Sequence, residues 1–261
     1  MTIVLIAVLA YLAAAALLVR AVARGSRPGA SWLLPALAGV VLHAAWHLRE
    51  WQAAGVADLH FFAALSLVGL GMAALTALYG ATGRMAALGV IVFPIAAAML
   101  AADAAVAYQP SPAMAWPLQL HAWTALLAYA TLAIAALLAL LLWMQERALR
   151  RRALQPWMRA LPPLVELESL LFRSIGAGFV LLSATLLTGV VFVEDMLAQH
   201  LAHKTVFSVL SWLAFGALLA GRWRLGWRGA VAVGWTLAAM ALLGLAFFGS
   251  KFVLELVLGR A

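Results

Sequence analysis

Eight uninterrupted apolar runs constrain this chain more than any motif in it: Thr2–Val22, Ser31–Trp46, Phe61–Tyr79, Met85–Ala105, Leu120–Trp143, Leu171–Phe192, Thr205–Ala220 and Val231–Phe248. At a rise of about 1.5 Å per residue, roughly 20 residues of helix cross a bilayer's hydrocarbon core. Strands are a poor fit, because membrane strands alternate apolar and polar residues and these runs are continuous; backbone groups in lipid must also be bonded within their own segment. Of the 261 residues, 67% are apolar and 10% charged, against roughly 25% charged in soluble domains, so no water-soluble surface can be built. The expectation is an all-α, polytopic transmembrane bundle of about eight helices, forming a single integral membrane domain over 1–261. No tandem repeat or linker divides it. The first run lacks a basic stretch before it and is followed by arginines, which reads as a retained helix rather than a cleaved signal.

Basic residues set the orientation. The links after runs one, three, five and seven carry Arg24 and Arg27, then Arg84, then Arg147, Arg150, Arg151, Arg152 and Arg159, then Arg222, Arg224 and Arg228. Those ends are expected in the cytoplasm. The opposite links hold Arg49 and Lys204 but collect Glu50, Asp58, Asp103, Glu194 and Asp195, so both termini are expected on the outer, periplasmic side. The net charge of +8 is accordingly a topology signal and calls for a lipid bilayer as partner, not nucleic acid. Gln155–Ser169, with Pro156, Pro162 and Pro163, reads as an interfacial stretch before the sixth helix.

With no cysteine in the chain, disulfides, thiolate metal sites and CxxC chemistry are excluded. No GxSxG, Walker lysine or pair of carboxylates lies within the apolar runs, so no catalytic group is identified and an enzyme is not expected. Asp103 comes closest to an intramembrane acid and is read as interfacial. The six histidines all fall on the outer side of this topology: His43, His47, His60, His121, His200 and His203. Imidazole ligates haem iron or divalent metals through a ring nitrogen. His43 and His47, four apart, share a helix face, yet without a Glu after the first they lack the HExxH of zinc hydrolases. Trp46, Trp51, Phe61, Phe62, Trp116, Trp123 and Tyr129 could wall a porphyrin. The competing reading is that these are interfacial hydrogen-bonding and belt residues. His200 and His203 with Glu194 and Asp195 could form a weak divalent site or a solvated loop.

The segment Leu120-His121-Ala122-Trp123-Thr124-Ala125-Leu126-Leu127-Ala128-Tyr129-Ala130 resembles the histidine-led helix of the cytochrome c assembly family, which includes the haem-handling CcsA and CcmC proteins and HemX-like proteins. His203–Trp212 resembles the helix after that family's tryptophan-rich loop, Gly221-Arg222-Trp223-Arg224-Leu225-Gly226-Trp227-Arg228-Gly229 its basic turn, and Phe247-Phe248-Gly249-Ser250-Lys251-Phe252 its C-terminal pattern. The likeness covers most of the chain and is nearest to the family's small inner-membrane YpjD-type branch. It implies a multi-pass protein of the bacterial inner membrane and an outer-side haem ligand at His121. Two departures stand out: no Trp occurs in Val193–Lys204, and Lys251 occupies the surroundings where a second outer histidine is expected.

The resulting expectation is a non-catalytic inner-membrane protein that binds or presents haem on its periplasmic face, related to cytochrome c assembly, with His121 as ligand and a second ligand open among His43, His47, His60, His200 and His203, of which His43 is the first candidate. The alternatives are a non-haem membrane scaffold or regulator of the same fold, acting through a membrane-protein partner, and an accessory subunit of a membrane transporter.

Overall fold

The computed structural model describes residues 1–55, 57, 59–81, 85–106, 115–152, 158, 160–192 and 199–252. Asp58, Arg84, Arg159, Glu194 and Asp195, used above for orientation and for the weak divalent site, lie outside the described residues, as does the side chain of His200. Among the described residues there is no strand, and eight helices are long and apolar enough to cross a membrane. The chain divides into two compact units.

Unit one comprises Met1–Ala113 and Arg147–Pro163. It contains α1 (Thr2–Ala23), α2 (Leu33–Ala54) entered through a 3₁₀ turn at Ala30–Trp32, α3 (Phe61–Gly80), and α4 (Gly89–Ala105) entered through a 3₁₀ turn at Ala86–Leu88. Helix α1 packs on α2 and α4, and α3 packs on α4 and α2. Association of helices in lipid relies on close packing and polar contacts rather than on water exclusion. Small side chains supply the approach: Ala7, Ala14, Ala36, Ala64, Ala73 and Ala96 are buried. At Gly39 a Cβ would lie 2.7 Å from Cδ1 of Tyr11, so the α1–α2 crossing fits only glycine there without displacement. Helix α2 runs eight residues beyond the apolar run that ended at Trp46, because Leu48, Glu50, Gln52 and Ala53 sustain helix in or out of lipid. It stops at Gly55, whose φ of 75° is left-handed and whose N–H closes on the Trp51 carbonyl.

Unit two comprises Met114–Glu146 and Leu164–Ala261. It holds most of α5 (Trp116–Arg150), then α6 (Leu164–Phe192), α7 (Gln199–Leu225) and α8 (Gly229–Gly244), which continues into a π-turn at Leu245–Gly249. The 35 residues of α5 make a helix of about 50 Å, longer than the roughly 30 Å hydrocarbon core, so it projects beyond the apolar run. Helix α6 begins immediately after Pro162 and Pro163, where a proline cannot disrupt the ladder. Glu166 and Glu168, expected in an interfacial stretch, therefore belong to the first turns of α6. Helices α7 and α8 pack along each other and α6 packs on α7, while Leu132 of α5 fills the space that a side chain at Gly178 of α6 would need. Hydroxyls inside the spans are satisfied locally: Thr131, Ser183, Thr185 and Thr236 each donate to the carbonyl four residues back. Others tie helices together. Tyr129 donates to the Leu243 carbonyl at 2.6 Å, Ser211 to the Ala239 carbonyl at 2.8 Å, and Trp212 Nε1 to Ser183 Oγ at 2.8 Å.

Candidate functional site

In unit two the start of α5, the end of α6, the start of α7 and the π-turn after α8 surround a cavity of about 370 Å³. His121, Tyr129, Thr185, Lys204, Ser208 and Phe247 line it with leucine and alanine side chains. The volume falls toward the small end of ligand pockets, which span about 300–1,000 Å³, and the mixture of apolar walls with a few convergent polar groups is typical of them. The π-turn that presents Phe247 is itself a rare geometry found preferentially at functional sites.

The hydrogen bonding of His121 assigns its tautomer. Thr188 commits its hydroxyl proton to the Ala184 and Thr185 carbonyls, both at 2.9 Å. Its oxygen is thus the acceptor in the 3.2 Å contact with His121 Nδ1. Nδ1 then carries the ring proton and Nε2 keeps its lone pair, the state in which an imidazole ligates a metal and is oriented by the bond at its other nitrogen. Lys204 adds the cationic group of this cavity, suited to a carboxylate on a bound molecule.

His43 belongs to the other unit and is fully buried. Its Nδ1 contacts the Tyr11 hydroxyl at 3.2 Å and its Nε2 contacts Ser66 Oγ at 2.9 Å, and the same Ser66 oxygen lies 3.0 Å from Nε2 of His47. The rings of His43 and His47 stack with centroids 5.4 Å apart, as their i, i+4 spacing requires. Tyr11 is buried without solvent contact, and His43 is its hydrogen-bond partner, so the phenol must donate to Nδ1 or lose its proton's acceptor. That choice propagates: His43 Nε2–H donates to Ser66, and Ser66 gives its single proton to His47 Nε2. The result is a directional relay, Tyr11 to His43 to Ser66 to His47.

Beside it, Asp103 is 7% exposed and accepts from Trp46 Nε1 at 2.9 Å, with His60 Nε2 at 3.8 Å from its other oxygen. Asp103 stands in the last turn of α4 and is enclosed there by side chains of α2 and α3, because the end of α4 packs inside unit one. His47, Glu50, His60 and Asp103 line a small cavity of about 100 Å³. Among the described residues no group of three or more His, Asp or Glu is gathered closely enough to hold a metal ion.

Of the aromatic residues expected to wall a site, Tyr129 lines the His121 cavity, whereas Trp116 and Trp123 point outward. Trp46, Phe61 and Phe62 belong to unit one. His203 is exposed at the start of α7. Sequence reasoning missed Thr188 around His121 and Tyr11 and Ser66 around His43, and it gave Lys204 and Phe247 no part in a site although both stand in the segments that resemble the family.

Comparison with known proteins matches residues 30–258 to the family described as Cytochrome C assembly protein. The chain is 36% identical over 137 residues to Inner membrane protein YpjD of Escherichia coli strain K12, covering 52% of each chain. It is 38% identical over 144 residues to the Uncharacterized 28.8 kDa protein in nifR3-like 5'region of Azospirillum brasilense, covering 54% of this chain and 53% of that one. The chain thus spans about half the length of the curated relatives it matches. No solved structure matches it. The chain belongs to the cytochrome c assembly protein family, and the inner-membrane relatives together with eight spanning helices make it a multi-pass inner-membrane protein.

Proposed function

We propose, from this family membership, that the protein binds or presents haem at the His121 cavity, on the periplasmic side of the inner membrane, without catalysing a reaction. The observation that carries the reading is the Nδ1–H···Thr188 bond, which leaves Nε2 as the ligating atom of a histidine that lines a largely apolar cavity with Lys204 at its wall. The donor set fits the group: imidazole for iron, a cation for a propionate, and Tyr129 and Phe247 for a porphyrin face. At about 370 Å³ the cavity would take one edge of the macrocycle and leave the remainder against lipid. When bound, haem would supply the iron-centred redox or transfer chemistry; the chain's own residues orient the imidazole, neutralise a carboxylate and exclude water. In this reading the arginine-bearing ends face the cytoplasm, both termini lie outside, and the chain acts as one domain.

His43 is the other histidine of the proposal, and any ligand role for it requires that it surrender its bond to Ser66 or to Tyr11, so His121 carries the greater part. The test is the visible spectrum of detergent-purified protein titrated with haemin, oxidised and reduced, for wild type, His121→Ala and His43→Ala. A saturable Soret band lost in His121→Ala supports the reading; occupancy unchanged in both variants overturns it. The absence of Trp between Val193 and Lys204 favours the second reading, a scaffold or regulator of the same fold. In that case no variant, nor the wild type, shows a specific band, and a membrane partner co-purifies without haem.

A further inference from the structure

The end of unit two opposite the His121 cavity, where α6 begins, α7 ends and α8 begins, carries a second concavity of about 500 Å³. It is lined by Glu168, Ser169, Phe172, Arg173, Arg222 and Arg228, with Val165 at its edge. Three guanidinium groups reach it, Arg173 from α6, Arg222 from the last turn of α7 and Arg228 from the link between α7 and α8. Glu168 is the one carboxylate in the lining and is taken up by Arg222 at 2.5 Å. Arg222 is further fixed over the Phe172 ring, 4.6 Å from its centroid, and donates to the Trp227 carbonyl. Arg173 and Arg228 are exposed and have no hydrogen-bond or ion-pair partner among the described residues. Two guanidinium groups without an ion-pair partner among the described residues thus line the groove beside a serine hydroxyl, with the Glu146 carboxylate the nearest further acid, against Gly229.

Depth is the second, independent observation. Arg173 lies two residues from Leu171, Arg222 two from Ala220 and Arg228 three from Val231, each an end of an apolar run. All three thus belong at the level where hydrocarbon gives way to headgroup phosphate. Topological charge bias accounts for arginines at this end of the bundle but not for their convergence. Arg224, equally part of the basic turn, lies outside the groove and near the Trp223 ring instead.

We infer that this groove is a binding site for the phosphate of an anionic phospholipid. Arg173 and Arg228 form charge-assisted hydrogen bonds to headgroup oxygens, for which the planar guanidinium is suited. Ser169 adds a neutral donor, and Val165 and Phe172 lie along the first part of an acyl chain. The inference does not rest on the haem reading, since none of its residues touches the His121 cavity.

The experiment uses the full chain, delipidated in detergent and titrated with phosphatidylglycerol, phosphatidylcholine or inorganic phosphate, with lipid-dependent melting temperature and lipid retention in native mass spectrometry as readouts. Each basic residue near an anionic headgroup contributes on the order of a fivefold change in binding. The Arg173→Gln/Arg228→Gln double variant is therefore expected to lose about twenty-five-fold in phosphatidylglycerol affinity, while Arg224→Gln, with the Arg222–Glu168 pair equally intact, stays near wild type. Equal loss in Arg224→Gln would reduce the effect to diffuse charge and overturn the site. Stabilisation by inorganic phosphate as strong as by phosphatidylglycerol would make it a free-anion site, and stabilisation by phosphatidylcholine would remove the charge selectivity; either refutes the inference. Unchanged lipid binding in the double variant does so as well.

Discussion

Ser66→Ala tests the directional relay in unit one at its centre. The serine oxygen accepts from His43 Nε2 at 2.9 Å and its proton goes to His47 Nε2 at 3.0 Å, so alanine deletes two interhelical hydrogen bonds between α2 and α3. Such bonds inside membranes average about 0.6 and reach about 1.7 kcal/mol each. Two of them set an expected loss of about 1–3 kcal/mol, with the upper part of the range favoured by the complete burial of His43, whose N–H then has no water to replace the hydroxyl. Tyr11→Phe removes only the terminal donor and one bond, and should cost about half as much; Ser66→Thr keeps the hydroxyl and should cost less than Ser66→Ala. Because all members share one chain of polarised bonds, Tyr11→Phe in the Ser66→Ala background should add less than it does alone. The assay is reversible unfolding of the purified protein in mixed micelles, followed by far-UV circular dichroism. A Ser66→Ala variant within about 0.5 kcal/mol of wild type, a magnitude ordinary for substitutions away from special features, would refute the relay. A Tyr11→Phe variant costing more than Ser66→Ala would show that its direction is misassigned.

Replacing Thr188 with Val removes the acceptor that orients His121 and should weaken haemin binding by about 10–100-fold, the usual effect of losing a ligand's outer partner, read by Soret titration. Lys204→Met should leave the ligand intact and weaken haemin binding while sparing a porphyrin with esterified propionates, measured in the same titration. Gly39→Ala forces a Cβ to 2.7 Å from the Tyr11 ring and should destabilise by about 1–3 kcal/mol through overpacking, whereas Gly29→Ala, which meets nothing within 4 Å, should not; thermal unfolding separates them. Tyr129→Phe loses the 2.6 Å bond to the Leu243 carbonyl and should cost up to about 1.7 kcal/mol, seen as a lower melting temperature with an unchanged helical spectrum.

The number and kind of elements were legible because the forces that make them are local. A long apolar run in lipid must satisfy its backbone through i to i−4 bonds, and that requirement depends on no other part of the chain. All eight runs accordingly became helices. Their ends were less legible: α2, α5, α6 and α7 each pass beyond the apolar run into polar but helix-favouring residues such as Glu50, Gln145, Glu166 and Gln199. Apolarity marks where lipid is, whereas helix propensity decides where coil begins.

What only the tertiary structure decided is the company each polar side chain keeps. His43 and His47 could be placed on one face from their spacing, but not beside Tyr11 of α1 or Ser66 of α3, since that depends on how each helix is rotated about its axis and on the glycine at position 39 that lets α1 approach. His121 was singled out by likeness to a family, while its orienting Thr188 lies 67 residues away on α6. Arg173 lies among apolar residues in the sequence and joins Arg222 and Arg228 only through helix packing. Rotational setting and register of one helix against another arise from side-chain interdigitation between distant segments. The sequence by itself therefore determines a bundle of helices long and apolar enough to cross a bilayer, eight among the described residues, and packing alone decides which of its few polar groups meet.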